Sequence, residues 1–376
     1  MIEVRQVTTK REQRAFLDFP LDLYRGNPCF VPPLYMDERK IFRKDYVYND
    51  CCRSTCFLAY RDGKVAGRIQ GIVQRASNEK RGERRARFCR FDAVDDPAVS
   101  EALFAAVEKW ALEQGMDTLC GPLGYSDLER EGLLVDGFDR QATFEENYNA
   151  EYYQHHIESL GFSKEVDWLG FRLYGPDGPE TLQELDDLTR FIFRRYKLHF
   201  GASTSTGDFL RRYADDIFSL LDKSYENLYG TVPFTEGMKK LMLDNFRLII
   251  SPKYTAVILD ENEHVVCFGV AFPALSPALV NTRGRLTPRV LLRLLRCLRR
   301  PDGLDLGLIG VEPEYLNRGV SAVFSAAIMR MLEDPRVAYA DTNLNLEDNW
   351  AILNQWKRFR KEEVKRYRSY VKKLKG

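Results

Sequence analysis

The chain has almost no net charge. Its 56 Lys and Arg stand against 55 Asp and Glu, giving +1 over 376 residues. That balance provides no global field to argue for nucleic acid or acidic partners, and no nucleic-acid contact is expected. The chain also lacks any apolar run near the roughly 18–20 residues that a membrane-spanning helix requires. Met1 to Val7 has neither the basic start nor the apolar core of a secretory signal, so the expected location is the cytoplasm, either free or at the inner membrane surface. The eight cysteines lack zinc spacing: Cys51, Cys52 and Cys56 lie close together with no second Cys or His pair at the required distance. Cys120 and Cys267 sit in apolar runs, where a free thiol behaves as a small hydrophobe. The expectation is reduced, structural cysteines and no metal. No close internal sequence repeat is visible.

What is present is the balance of a globular protein, 44% hydrophobic and 30% charged, at a length that suits two domains. The first half reads as a strand at 2–7, a hairpin at 55–74 turning on Asp62-Gly63, a strand at 86–91, a helix at 98–113 and a strand at 116–120. The second half repeats that order: a hairpin at 254–272, a strand at 304–311, a helix at 320–332 and a strand at 337–344. A helix at 349–359 and a closing strand at 367–374 follow. Two copies of one fold are therefore expected, dividing at the breaker-rich stretch 174–179 into domains 1–175 and 180–376.

The most informative stretch is Gly310 to Ala327, G-V-E-P-E-Y-L-N-R-G-V-S-A-V-F-S-A-A. An apolar strand ends at Pro313, a polar turn carries Arg318 and Gly319, and a helix starts at Val320. Such a turn presents free amides at the positive end of a helix, an anion site that suits a pyrophosphate.

These residues resemble the central motif of the GNAT superfamily, the acyl-CoA-dependent N-acyltransferases, in which a strand ending near V-x-P leads through Q/R-x-x-G-x-G/A into a helix. Val311 and Pro313 match the strand end, and Arg318, Gly319 and Val320 match the loop. Leu316, Asn317 and Ser321 depart from the pattern, mildly for Asn317 and Ser321, since Asn tolerates left-handed geometry and Ser is small. The resemblance spans about residues 250–376 and implies an α/β fold of two GNAT-like domains in tandem, each a mixed, mostly antiparallel sheet flanked by helices. It further implies acyl-CoA as donor, held by Ile309, Val311, Leu316, Asn317, Arg318, Gly319, Val320 and Ser321, with Asn349 toward the pantetheine arm. The corresponding turn of the first half, F-D-A-V-D-D-P-A-V from Phe91, has no glycine and three Asp residues that repel a pyrophosphate. One donor site is expected, in the second half. The block from Gly121 to Tyr153 looks like a signature of two-domain bacterial GNAT-like proteins of mostly unassigned substrate.

Acyl transfer to an amine requires a polarised thioester carbonyl and a deprotonated amine. By resemblance, strand 308–311 supplies a backbone N–H to the carbonyl. Glu312 and Asp341 are the base candidates beside it. The family's thiol-protonating tyrosine falls at Trp356 here, so Tyr339 is the substitute, or the thiolate leaves unassisted and positioning carries the rate. Asp127, Glu129, Glu131, Asp136 and Asp139, with Tyr153 closing the block, read either as the acceptor site for a cationic amine, with Asp127 and Tyr153 as catalytic candidates beside Glu312, or as a solvated loop packed by its aromatics. His155 and His156 are read as surface or capping residues, with a general base as the alternative for one of them. The segment Thr287–Arg300 is a basic amphipathic helix. It reads either as an ordinary helix packing its leucines inward or as a contact for an anionic membrane surface or an acyl carrier protein, which would suit a lipid-like amine or a long acyl chain. Beside it, Phe272–Val280 is apolar enough to line an acyl channel. Two other functional readings stay open: a non-catalytic acyl-CoA-binding or scaffold module, and a transferase using aminoacyl-tRNA, against which the neutral charge argues.

Overall fold

The computed structural model describes every residue except Asp177, Asn227, Asn317 and Gly376. In chain order the first half holds β1 (Ile2–Gln6), α1 (Lys10–Leu23), α2 (Tyr35–Glu38), β2 (Cys52–Arg61), β3 (Lys64–Gln74), α3 (Arg75–Arg81), β4 (Arg85–Ala93), α4 (Pro97–Glu113), β5 (Thr118–Gly121), β6 (Leu133–Asp136), α5 (Tyr152–Ser159) and β7 (Ser163–Tyr174). The second half holds α6 (Pro179–Tyr196), β8 (His199–Phe200), α7 (Thr206–Tyr225), α8 (Glu236–Phe246), β9 (Thr255–Leu259), β10 (Val265–Pro273), α9 (Ser276–Leu279), α10 (Pro288–Arg299), β11 (Leu304–Val311), α11 (Val320–Met331), β12 (Ala340–Thr342), β13 (Asn345–Leu346), α12 (Trp350–Gln355) and β14 (Arg360–Lys373). Among the described residues no helix is long and apolar enough to cross a membrane.

Packing groups the chain into two compact units, and the division is not a single seam. Unit 1 comprises Met1–Trp168, Ser276–Leu292 and Lys365–Gly376; unit 2 comprises Leu169–Leu275 and Arg293–Val364. The chain passes between units inside β7, α10 and β14 and just before α9, because an element of ordinary conformation gives no local sign of where its partners change. In unit 1 the strand order is β1-β2-β3-β4-β5, followed by the later part of β14 and the start of β7. In unit 2 the end of β7 lies beside β12, and the order continues β11-β10-β9-β8.

Each unit repeats one arrangement. Hairpin β2–β3 turns on Asp62 and Gly63, both at positive φ (52° and 77°), the geometry that an Asp-Gly turn favours. Next, β4 pairs antiparallel with β3, α4 crosses over, and β5 returns parallel to β4. Unit 2 does the same with hairpin β9–β10, then β11, α11 and the parallel β12. A parallel return needs a crossover connection, and both helices supply it. Each covers its sheet with apolar side chains at helical spacing: Val99, Leu103, Phe104, Val107 and Ala111 on α4, and Val320, Val323, Phe324, Ile328 and Met329 on α11. The core of unit 1 is built around Phe88, Phe104 and Phe162, with ring centroids 5.0–5.6 Å apart. That of unit 2 gathers Leu304, Leu306, Phe324, Met329 and Trp356.

Candidate functional site

In unit 2, β11 changes partners along its length. Against β10 it pairs from Val311 (opposite Cys267) to Leu308 (opposite Val270), but Leu306 then faces Ala271, so Gly307 is an extra residue that bulges the strand. Against β12 it pairs only over Leu304–Leu306, and the amide of Asn343 makes a further bond to the Leu306 carbonyl at 3.0 Å. From Gly307 onward β11 and β12 part. The amide of Glu312 donates to the Val266 carbonyl at 2.8 Å, toward β10. Antiparallel alternation therefore turns the amides of Ile309 and Val311 away from β10, into the opening. The Val311 carbonyl faces the same way and accepts from Ser224 Oγ of α7 at 3.1 Å.

The turn after this strand carries the residues from which the anion site is expected. Gly319, at φ 82°, is the N-cap of α11 and offers no side chain, so the amides at Val320 and Ser321 lack the side-chain cap that Ser, Thr, Asp or Asn would give. Val320 is buried and Ser321 half-buried; Leu316 is exposed. Arg318 stacks over Tyr315 (4.8 Å) and Tyr196 (5.4 Å), which holds a cation beside the turn. Asn317 lies outside the described residues. Asn349 is the N-cap of α12, its side-chain oxygen accepting from the Ile352 amide at 3.4 Å.

The acid candidates of unit 2 are both ion-paired. Glu312 accepts from Lys223 Nζ at 2.8 Å in a half-exposed pair. Asp341 holds Arg172 through two bonds of 2.7 Å, and that guanidinium lies 3.7 Å from the Tyr339 ring centre. Burial pushes the Tyr339 hydroxyl up to about 12. Trp356 is a core residue whose Nε1 donates to Asn345 Oδ1 at 3.1 Å. Sequence reasoning missed Lys223 and Ser224, which lie on a helix about ninety positions upstream of the strand they touch. It also missed the roles of Gly307 and Gly310. A Cβ on either would stand 2.4 Å from the ring of Phe272 or Phe268 respectively. Their absence lets both rings lie across β11, where they line an apolar crevice with Phe209, Ile217, Phe246 and Leu308. Its free volume is about 40 Å³.

Unit 1 gathers part of the acidic block and disperses the rest. Arg90, at the bulge of β4 and at φ 46°, donates to Glu38 (3.0 Å), Gln70 (2.9 Å) and Glu129 (3.4 Å). Beside it Tyr48 and Tyr125 stack at 5.2 Å, and Tyr125 Oη donates to Ser54. Glu131 is buried, and its Oε1 has no partner among the described residues. Burial raises its pKa well above the usual range, with Asp127 adding to the effect and Arg87 opposing it. Asp127 is half-buried nearby, whereas Asp136, at the end of β6, and Asp139, on the turn after it, are exposed and do not join the group.

Two expectations are corrected. Tyr153 is a core residue, fully buried, with its hydroxyl bonded to the Ala93 amide (2.7 Å), the Ala93 carbonyl (3.0 Å) and Tyr24 (2.9 Å). It ties α5 to the end of β4 and has no hydroxyl capacity left for a substrate. His156 is buried as well, bonded to Ser100 Oγ at 2.9 Å, and burial lowers its pKa. The clue was its spacing, three residues after Tyr153 on the same helix face.

No protein-family model matches the chain. It is 26% identical over 389 residues to Protein YghO of Escherichia coli K12, covering 99% of this chain and 95% of that protein. It is 25% identical over 388 residues to a bacterial ceramide synthase of Caulobacter vibrioides, covering 99% and 98%. Among solved structures it superposes on a tandem GNAT protein from the clavulanic acid biosynthesis pathway with a TM-score of 0.56, at 11% identity and over 100% and 99% of the two chains. It also superposes on a GCN5-related glucosamine N-acetyltransferase region of a fungal β-N-acetylglucosaminidase with a TM-score of 0.59, at 13% identity, over 99% of this chain and 38% of that one. The repeated hairpin, strand, helix and parallel strand, with β11 and β12 parting in one copy, give this chain the fold of a tandem GNAT protein.

Proposed function

We propose that this chain is an N-acyltransferase that moves an acyl group from acyl-CoA to the amine of a small-molecule or lipid-like acceptor. The observation that carries the reading is the parting of β11 from β12 immediately before a helix whose N-cap is glycine. The first feature aims the amides of Ile309 and Val311 at one opening, where a thioester carbonyl can accept from them. The second leaves the amides at Val320 and Ser321 for a pyrophosphate, with Arg318 beside them. In the step itself the amine nitrogen forms a bond to the carbonyl carbon, the carbon–sulfur bond breaks, and the proton lost by the amine ends on the CoA thiol. With Glu312 held by Lys223 and Asp341 by Arg172, placement of the two reactants contributes most of the rate. Glu312, next to Val311, is the nearer carboxylate in sequence to take the amine proton.

A long acyl chain fits the reading best. One relative is named a ceramide synthase, and the crevice beneath Gly307 and Gly310 is lined by apolar side chains. Its 40 Å³ is close to the roughly 30 Å³ share of one water, so a long chain requires α8, which bears Phe246, to draw back from β10.

The test is titration calorimetry with CoA, acetyl-CoA and palmitoyl-CoA on the wild type and on Ser321→Glu. The added carboxylate at the start of α11 favours the helix while repelling a pyrophosphate. The variant should fold and lose at least about a hundredfold in affinity, about 2.7 kcal/mol. Unchanged affinity in that variant, or no wild-type binding of any thioester, overturns the proposal. The ion-paired state of both acids also favours a second reading, a module that binds acyl-CoA without turning it over. Tight binding with no product across a panel of amines that includes long-chain amino alcohols would select it.

A further inference from the structure

The helix α10 is apolar around more of its circumference than the fold covers. At about 100° per residue, the apolar positions from Cys297 through Val290, Leu294, Leu298, Leu291 and Leu295 to Leu292 sweep an arc of about 220°. The first part of that arc is turned inward: Val290 is buried, and Leu294, Cys297 and Leu298 are half-buried. The rest lies in solvent, with Leu291 at 45%, Leu295 at 47% and Leu292 at 69% exposure. An ordinary packed helix would have the leucines covered; here only half of the apolar surface is. Leu286, just before the helix, is exposed as well.

The charge beside this strip has one sign. Arg289, Arg296 and Arg300 are exposed along its edge beyond Leu292, Arg299 is exposed within it between Leu295 and Leu292, and no Asp or Glu occurs between Glu263 and Asp302. The chain as a whole is neutral, so this concentration of cations is local. Leucines bordered by arginines on one exposed helix match the boundary of a bilayer, where apolar side chains enter the acyl region and guanidinium groups meet phosphates.

We propose that α10 is the surface through which the protein lies on an anionic lipid bilayer, with Leu291, Leu292 and Leu295 inserted and the arginines on the headgroups. Each inserted leucine strengthens binding about tenfold or more by the apolar area it removes from water. Each arginine close to an anionic surface adds about fivefold. The surface does not depend on the acyl-transfer reading, and its test involves no turnover.

The experiment is flotation of the full chain with vesicles of phosphatidylcholine alone and of phosphatidylcholine mixed with phosphatidylglycerol. Wild type should float with the mixed vesicles and remain below with the neutral ones, and added salt should release it. Leu292→Ser should weaken binding about tenfold. The pair Arg296→Glu and Arg299→Glu should abolish it. All three substitutions are on exposed positions, and unchanged thermal melts establish that the variants fold. Equal binding to both vesicle types, no binding at all, or binding indifferent to both sets of variants overturns the proposal. So does capture of an acidic acyl carrier protein by α10 without any vesicle binding, which would give the face to a protein partner.

Discussion

The helices α4 and α11 hold corresponding places in the two units, each following a strand that bulges and leading to a strand that returns parallel, but their first turns differ in chemistry. At α4 the N-cap is Asp96, whose carboxylate accepts from the Ala98 amide at 3.1 Å and pairs with Arg61 at 2.6 Å. Pro97 follows and has no amide to offer. At α11 the N-cap is Gly319, with no side chain, and Val320 and Ser321 follow with their amides. The bulged strands diverge in the same way. In unit 1, Arg90 fills the region beside β4 with an ion network to Glu38 and Glu129. In unit 2, Gly307 and Gly310 leave β11 bare enough for two phenylalanine rings to lie across it. One copy of the fold caps the start of its helix and packs its opening with side chains; the other leaves the helix start without a side-chain cap and β11 without side chains at two positions.

The largest expected effect that bears on this comparison concerns the glycine beneath each helix. A Cβ on Gly269 would stand 1.6 Å from the Phe324 ring of α11, whereas one on Gly67 would meet the Leu103 methyl of α4 at 2.8 Å. The ring cannot give way without moving the helix, but the leucine can rotate. Gly269→Ala should cost about 3 kcal/mol and Gly67→Ala about 1 kcal/mol, read from denaturant unfolding. Equal costs would mean that the two helices are seated alike. Next in size, Asp96→Ala should cost about 1 kcal/mol through the lost cap. Calorimetry on this variant should still give one thioester per chain, since Pro97 and the neighbouring Asp92 and Asp95 remain. A second bound equivalent would break the comparison. The smallest effect belongs to Glu131. Its folded pKa is raised by burial, so the folded state holds the proton more tightly than the unfolded one. The stability that this gives is present below the unfolded value near 4.5 and is lost as pH rises toward the folded pKa. Glu131→Gln should leave stability near pH 4 unchanged and raise the melting temperature at neutral and alkaline pH, flattening the profile. A constant offset at all pH values would contradict the protonated state.

Much of this contrast is legible in the residues themselves. The D-A-V-D-D-P turn and the R-G-V-S turn announce opposite electrostatics before any coordinates are known, and the limits of β11 follow from Leu304 to Val311 as an apolar run bounded by Pro301-Asp302-Gly303 and Pro313. Helix α1 carries a legible start, the Thr9–Glu12 capping box, but Pro20 in its last turns hides its length. Tyr153 and Glu131 lie in one glycine-rich stretch and look alike as site candidates. Only packing separates a hydroxyl with all its bonds made from a carboxyl with an oxygen left over.

The amino-acid sequence by itself determined the repeated hairpin-strand-helix-strand arrangement and the contrasting charge of the two helix-opening turns, because turn chemistry, periodicity and local charge are properties of neighbours in the chain. The tertiary structure alone decided where β11 parts from β12, that Lys223 holds Glu312, which acids of the 127–139 block meet, and that the leucines of α10 stay uncovered. Each of these depends on partners far away in the chain, and residue spacing carries no record of which surfaces meet.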